Sequence, residues 1–167
     1  MPGERREGRN QHLSQFDSPE ITAGAHPSRC PKQIAQAFGR LIPQLTTNHP
    51  PPSFADLQAL VAFPGSVLLV ARGSAGGPVV GAATLSILRT PTGVHARLED
   101  VIVDPGMRGK GIGEALALEV IRLAREAGAS DIALTSNPRR EAANRLYQRI
   151  GFKKWETNVY RLDLNVK

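Results

Sequence analysis

Six consecutive residues, Arg108-Gly109-Lys110-Gly111-Ile112-Gly113, set three glycines among two cations. An extended apolar run, Leu98-Glu99-Asp100-Val101-Ile102-Val103, precedes them and is closed by Asp104-Pro105. A helical pattern of apolar residues follows from about Gly113 to Ala127. A strand, a glycine turn with cations and a helix start together predict a seat for a diphosphate. Glycines let backbone approach a ligand closely, the first helical N–H groups have no internal partner, and the helix dipole favours negative charge. Two other phosphate loops are excluded. A dinucleotide fingerprint begun at Gly109 needs glycine where Glu114 stands, and a Walker A loop needs Ser or Thr where Gly111 follows Lys110.

A second constellation lies downstream. Ser136-Asn137-Pro138 reads as a helix start, with Asn137 able to cap and Pro138 suited to the first helical position. From Arg139 to Ile150, Ala142, Ala143, Leu146 and Ile150 fall on one helical face, and Gly151 ends the pattern. Tyr147 sits one turn before that glycine. The first string, Arg-x-x-Gly-x-Gly, resembles motif A of the GCN5-related N-acetyltransferases (GNAT family). The second, Ala-Ala-Asn-Arg-Leu-Tyr-Gln-Arg-Ile-Gly-Phe, resembles their motif B. The resemblance runs well from about Ser66 to Leu164 and only loosely before that. It implies an α/β acyl-CoA N-acyltransferase fold: a mixed central sheet flanked by helices, with acetyl-coenzyme A where two strands, starting near Leu98 and Ile132, splay apart. It implies that residues 108–113 hold the diphosphate and that Tyr147 protonates the departing thiolate. Seven residues before the tyrosine, where the family often has an Asn contacting the cofactor, this chain has Arg140; Arg140, Asn137 and Asn144 are all candidates for that contact.

Acetyl transfer to an amine makes three demands. A lysine-like amine has a pKa of ~10.4, so about one molecule in 10³ is neutral at pH 7, a handicap of roughly 4–5 kcal/mol that a base must lift. Glu99 is the candidate base. With an ordinary pKa of ~4.3 it would work through water or with a value raised by burial. Tyr147, with an ordinary value of ~10, stays protonated and can donate to the thiolate. The oxyanion donor is expected among the backbone N–H groups of Val101, Ile102 and Val103, where no side chain can serve. Asp100 rivals Glu99, and a water chain using neither is a third route. Strict alternation sets Arg97, Glu99, Val101 and Val103 on one face, although family strands bulge here. Leu98-Glu99-Asp100 also resembles the spermidine/spermine N-acetyltransferases, in which the Glu is the proposed base and the Asp helps hold a cationic substrate.

The remaining chain must position these groups. Helices are expected at Ile34–Leu45 and, capped by Ser53, Phe54–Ala62. Strands are expected at Ser66–Ala71, Val79–Leu88, Val94–Val103, Ile132–Thr135 and Glu156–Leu164, with another near Ile21–Gly24. The acceptor cleft should lie between the N-terminal helices and the strand through Thr157-Asn158-Val159-Tyr160. Residues 1–27 are polar and read as a mobile tail before a domain of residues 28–167. Without an apolar signal core or an 18-residue apolar run, a cytoplasmic protein with no membrane partner is expected. One cysteine, Cys30, excludes an intrachain disulfide, and the four histidines lack metal-ligand spacing, so no metal is expected. His49 reads as a surface residue, and so does His95, despite its nearness to Glu99. A net charge of +6 with no aromatic ladder gives only weak, salt-dependent affinity for nucleic acid, none of it specific.

The expectation is an acetyl-coenzyme A-dependent N-acetyltransferase acting by direct attack in a ternary complex, on a small cationic amine for preference because Glu99 and Asp100 are paired. A protein lysine or N-terminal acetyltransferase, a non-catalytic acyl-coenzyme A sensor and a basic interaction protein are the alternatives. Homodimers are common in the family, which leaves a homodimer open here.

Overall fold

The computed structural model of the chain describes residues 19–23 and 32–164; the expected tail falls outside these except at 19–23. Ten elements follow in order: β1 (Glu20–Ala23), α1 (Lys32–Leu45), α2 (Phe54–Ala62), β2 (Ser66–Arg72), β3 (Val79–Thr90), β4 (Gly93–Val103), a 3-10 turn (Pro105–Met107), α3 (Ile112–Glu126), β5 (Asp131–Ala133) and α4 (Glu141–Arg149). The strands form one sheet in sequence order, antiparallel throughout except for the parallel pair β4–β5.

Both faces of the sheet are covered, which is why β2 reads as a continuous apolar run rather than an alternating one. Leu68 and Val70 join the cluster under α1 and α2, while Leu69 and Ala71 join the cluster under α3. Helix α1 buries Ile34, Ala37, Phe38 and Leu41, one stripe at helical spacing. Helix α3 buries Ile112, Leu116, Ala117, Val120 and Ala124 in the same way. A reciprocal cap starts α2: Ser53 Oγ accepts from Asp56 N at 3.2 Å, and an Asp56 carboxylate oxygen accepts from Ser53 N at 2.8 Å.

The decisive irregularity is in β4. Glu99 stands opposite Thr84 and Ile102 opposite Ala82, so one residue too many lies between them. The extra residue makes a bulge, and Asp100 takes φ of 52° there, the only described non-glycine residue with positive φ. Strict alternation therefore fails: Ala96 and Leu98 pack toward α3, whereas Ile102, of the same parity, packs toward α1 and α2. Val101 and Val103 turn toward the α3 side instead, so they do not share a face with Arg97 and Glu99. Strand β5 pairs with β4 only from His95 to Arg97, and beyond that the strands part.

Four further expectations are corrected. Residues 156–163 form no strand; the sheet stops at β5, and the apolar side chains of that segment find no cover. Strand β5 covers 131–133 rather than 132–135, because beyond Ala133 it has no pairing with β4. Helix α4 begins at Glu141 with Arg140 as its N-cap, not at Arg139 with Asn137 as cap. Asn137 instead closes the preceding turn: its Oδ1 accepts from Arg139 N at 2.9 Å and its carbonyl accepts from Arg140 N at 2.9 Å. Within α4, Ala142 is exposed rather than on the packed face.

The left-handed conformation at position 100 tolerates Asp and Asn but penalises a β-branched side chain. Asp100→Ile is expected to lower stability by about 1–2 kcal/mol relative to Asp100→Asn, although the side chain is reached by solvent. Denaturant unfolding of the two variants side by side would check this.

Candidate active site

The turn after β4 is held at both ends. Arg108 Nε donates to the carbonyl of Val103 at 3.0 Å, folding the cation back along the strand. Gly109 and Gly111 have φ of 75° and 78°, and Gly111 is the N-cap of α3. Nothing lies within 4 Å of where a Cβ on either would stand, so glycine is demanded here by conformation and not by crowding. Helix α3 thus starts with open N–H groups behind an exposed glycine turn, an arrangement that fits a diphosphate.

Under the turn sits Asp104, the one buried charged residue among those described. Its backbone N–H donates to Val80 O at 2.8 Å and its carbonyl accepts from Met107 N at 2.9 Å. Its carboxylate pairs with Arg40 of α1 and accepts from Gln44 Nε2 at 3.2 Å. Arg40 also donates to Val79 O at 2.8 Å. Helix α1 is therefore fastened to the root of the glycine turn.

Where β4 and β5 part, a cleft of about 520 Å³ opens. Its walls are Leu45 at the end of α1 and Thr46, Asn48 and His49 just after it, Leu98–Val101 of β4, Leu134–Asn137 after β5, and Arg139, Arg140, Tyr147 and Arg161. Both carboxylates of the pair reach it. Glu99 Oε1 accepts from Arg97 Nε at 2.5 Å, in an ion pair about one-third exposed on each side. Asp100 stays open to solvent at the cleft, yet the surrounding walls partly desolvate it, and that desolvation, helped by the charge of Glu99, pushes its carboxyl above the usual aspartate value. Arg140 acts the opposite way on Asp100 and is the weaker influence. Burial also raises the Tyr147 phenol, again with Arg140 opposing. The Tyr147 ring packs edge-on against Phe152, with centroids 5.9 Å apart. Arg140 itself reaches across the cleft, donating to Leu45 O at 3.0 Å and tying the start of α4 to the end of α1. On its β5 side β4 has no paired strand after Arg97, and of the three residues expected to supply an oxyanion donor only Val101 lines the cleft; Ile102 and Val103 do not.

Glu99, Asp100, Val101, Asn137, Arg140 and Tyr147 are thus brought to one cleft, and residues 108–113 to the turn beside it. Asn144 is used locally: its amide donates to Asn137 O at 3.0 Å and braces the turn before α4. His95 is not part of this cleft; it pairs with Asp131 at 2.7 Å and with Thr92 at 3.1 Å. Sequence reasoning missed Arg40 and the lining role of His49. Nothing local marks Arg40, whose carboxylate partner is 64 residues away. Among the described residues no group of three or more His, Cys, Asp and Glu is arranged to hold a metal ion, and no helix is long and apolar enough to cross a membrane.

Residues 35–152 match the acetyltransferase (GNAT) family. The chain belongs to that family. A glucosamine 6-phosphate N-acetyltransferase from Trypanosoma brucei brucei is 37% identical over 91 residues, 53% of this chain and 59% of that enzyme. A mycothiol acetyltransferase from Nocardiopsis dassonvillei is 44% identical over 57 residues, 34% of this chain and 17% of that protein. The chain thus spans less than two-thirds of the length of these curated relatives. Among solved structures, a Trypanosoma brucei acetyltransferase superposes with a TM-score of 0.67 at 29% identity, over 88% of this chain and all of that one. An aminoglycoside acetyltransferase from a soil metagenome superposes at 0.73 with 19% identity, over 93% of this chain and all of that one, a likeness of fold. The mixed sheet flanked by helices, parting between β4 and β5, is the GNAT fold.

A side chain at Gly111 would have to adopt the left-handed region in which a β-branched residue is an outlier. Gly111→Val is expected to weaken acetyl-coenzyme A binding at least tenfold, read by titration calorimetry, with the far-ultraviolet circular dichroism unchanged.

Proposed function

We propose that this GNAT chain transfers the acetyl group of acetyl-coenzyme A to the primary amine of a small cationic acceptor, by direct attack within a ternary complex. One observation carries the reading: a carboxylate pair and Tyr147 line one cleft at the open end of β4, beside a glycine turn fit for a diphosphate. The turn 108–113 binds and orients the diphosphate, while Asn137 and Arg140 stand where the rest of the cofactor passes. Backbone N–H groups among Val101, Ile102 and Val103 point at the thioester oxygen and hold its developing charge. The acceptor ammonium first gives one proton through water to the Glu99–Asp100 pair. The neutral nitrogen then attacks the thioester carbon, the carbon–sulfur bond breaks, and the thiolate takes the Tyr147 proton. The second proton, shed by the new amide nitrogen, passes through water and restores the Tyr147 phenol.

Within that pair the two members differ. Glu99 is tied to Arg97 in an ion pair. Asp100 has its carboxyl pushed above the usual aspartate value by desolvation, with Glu99 supplying part of that push, a direction that suits a proton acceptor. The paired acids favour a cationic acceptor. Arg139, Arg140 and Arg161 on the same walls favour one that also bears an anionic group, as glucosamine 6-phosphate does, the substrate named for the trypanosomal relative. Protein lysine or N-terminal substrates and a sensing role without turnover have no such observation behind them.

Thiol release from acetyl-coenzyme A, measured against amino-sugar phosphates, aminoglycosides, polyamines and lysine peptides, tests the reading. Turnover with one small-amine class is expected, and silence across the panel would overturn it. Tyr147→Phe is expected to lower kcat about 10²-fold, the lower end of what proton transfer contributes, with KM little changed. Arg140→Ala removes the charge that holds both Asp100 and Tyr147 down. A base must be ionised and an acid protonated, so both limbs of the kcat/KM profile should move to higher pH. Glu99→Gln withdraws its push on Asp100 and should move the acid limb to lower pH.

A further inference from the structure

A second cavity, of about 350 Å³, lies between α1 and the turn that joins β2 to β3, and it shares no residue with the cleft at β4 and β5. Gln33, Gln36 and Arg40 face it from α1 at spacings of three and four, one side of that helix. Arg72, at the end of β2, faces it from the sheet. Among the described residues that line it are two guanidinium groups and no carboxylate. Arg72 is partly buried and donates to Gly77 O at 2.5 Å, yet no carboxylate among the described residues pairs with it. Glu20, its cross-strand partner in β1, instead accepts from Gly76 N at 3.2 Å. Arg40 uses one N–H of each terminal nitrogen on Asp104 and Val79 O, and its side chain is half exposed. Each guanidinium therefore keeps N–H groups over, on a wall of the same cavity. A cation drawn partly out of water without a counter-charge is an unfavourable arrangement that an anion relieves.

We propose that this cavity binds a small phosphorylated molecule, its phosphoryl group held between Arg40 and Arg72, as a ligand distinct from both substrates. Two forks set apart favour a phosphoryl group over a carboxylate. Its three terminal oxygens and up to two charges suffice for a paired contact with each arginine, whereas a carboxylate has two oxygens and fills one fork. The side-chain amides of Gln33 and Gln36 add donors on the α1 wall. Ala37, Pro78 and Val79 supply apolar surface for the organic part of the ligand. The volume falls within the ~300–1,000 Å³ that small-molecule sites occupy. The groups proposed to act on the amine and the thioester, Glu99, Asp100 and Tyr147, all line the other cleft, so this is a site of binding and not of turnover.

Ribose 5-phosphate, which has no amine to acetylate, is the probe. It is titrated calorimetrically into the full chain saturated with coenzyme A, so that the glycine turn is already filled. Saturable binding is expected, at least tenfold tighter than for gluconate, a sugar acid of similar size with a carboxylate in place of the phosphoryl group. Arg72→Gln should weaken it at least tenfold. Gln36→Glu sets a carboxylate on the same wall at an exposed position and should weaken it as much. Arg161→Gln, in the acceptor cleft, should leave it unchanged. Absence of saturable binding to the coenzyme A complex overturns the proposal, and so does equal affinity for gluconate. Binding that Arg161→Gln abolishes while Arg72→Gln and Gln36→Glu leave it intact belongs to the acceptor cleft and overturns it too. None of these readouts requires turnover, so their failure would leave the proposed reaction standing.

Discussion

Everything at the working end of this protein depends on one extra residue in β4. Without the bulge at Asp100 the strand would keep its parity and Ile102 would face α3 with Leu98. It would also be free to stay beside β5 instead of leaving it after Arg97. The bulge rotates the strand's outer half, so that one strand feeds the core under α3 with Ala96 and Leu98 and the core under α1 with Ile102. The opening between β4 and β5 is the room this creates, and a carboxylate in an uncommon backbone conformation stands at its edge.

The cleft's electrostatics follow from the same geometry. Two acids from one strand are set side by side, and positive charge reaches them from elements that the fold brings in separately: Arg140 at the start of α4 and Arg161 from beyond Gly151. Arg140 works both structurally and electrically. It bonds to Leu45 O, holding α4 against the end of α1, and from there it restrains the upward shift of both Asp100 and Tyr147. A neutral residue at 140 would lose both effects together.

Much of this was legible in the sequence where the cause is local. The glycine turn could be read because positive φ at Gly109 and Gly111 demands glycine, and because α3 announces itself by a full apolar stripe. Tyr147 is singled out by the motif B resemblance of its helix, and it lines the cleft. The reading failed where the deciding partner is distant or absent. Asn137 has the right type for a helix cap, yet its side chain closes a tighter turn first, and only the fold decides between the two. Residues 156–164 have apolar residues at Tyr160, Leu162 and Leu164, a strand's pattern, but a strand also needs an edge to pair with. The contact between Arg40 and Asp104 joins residues 64 apart and leaves no pattern in either neighbourhood.

That last contact fixes how two parts of the molecule sit against each other. Arg40 and Gln44 lie on α1, which ends at Leu45 on the wall of the cleft, while Asp104 roots the glycine turn. The helix that ends at the cleft and the turn beside it are thus clamped together through one buried carboxylate, so neither can shift without breaking the contact that seats the other.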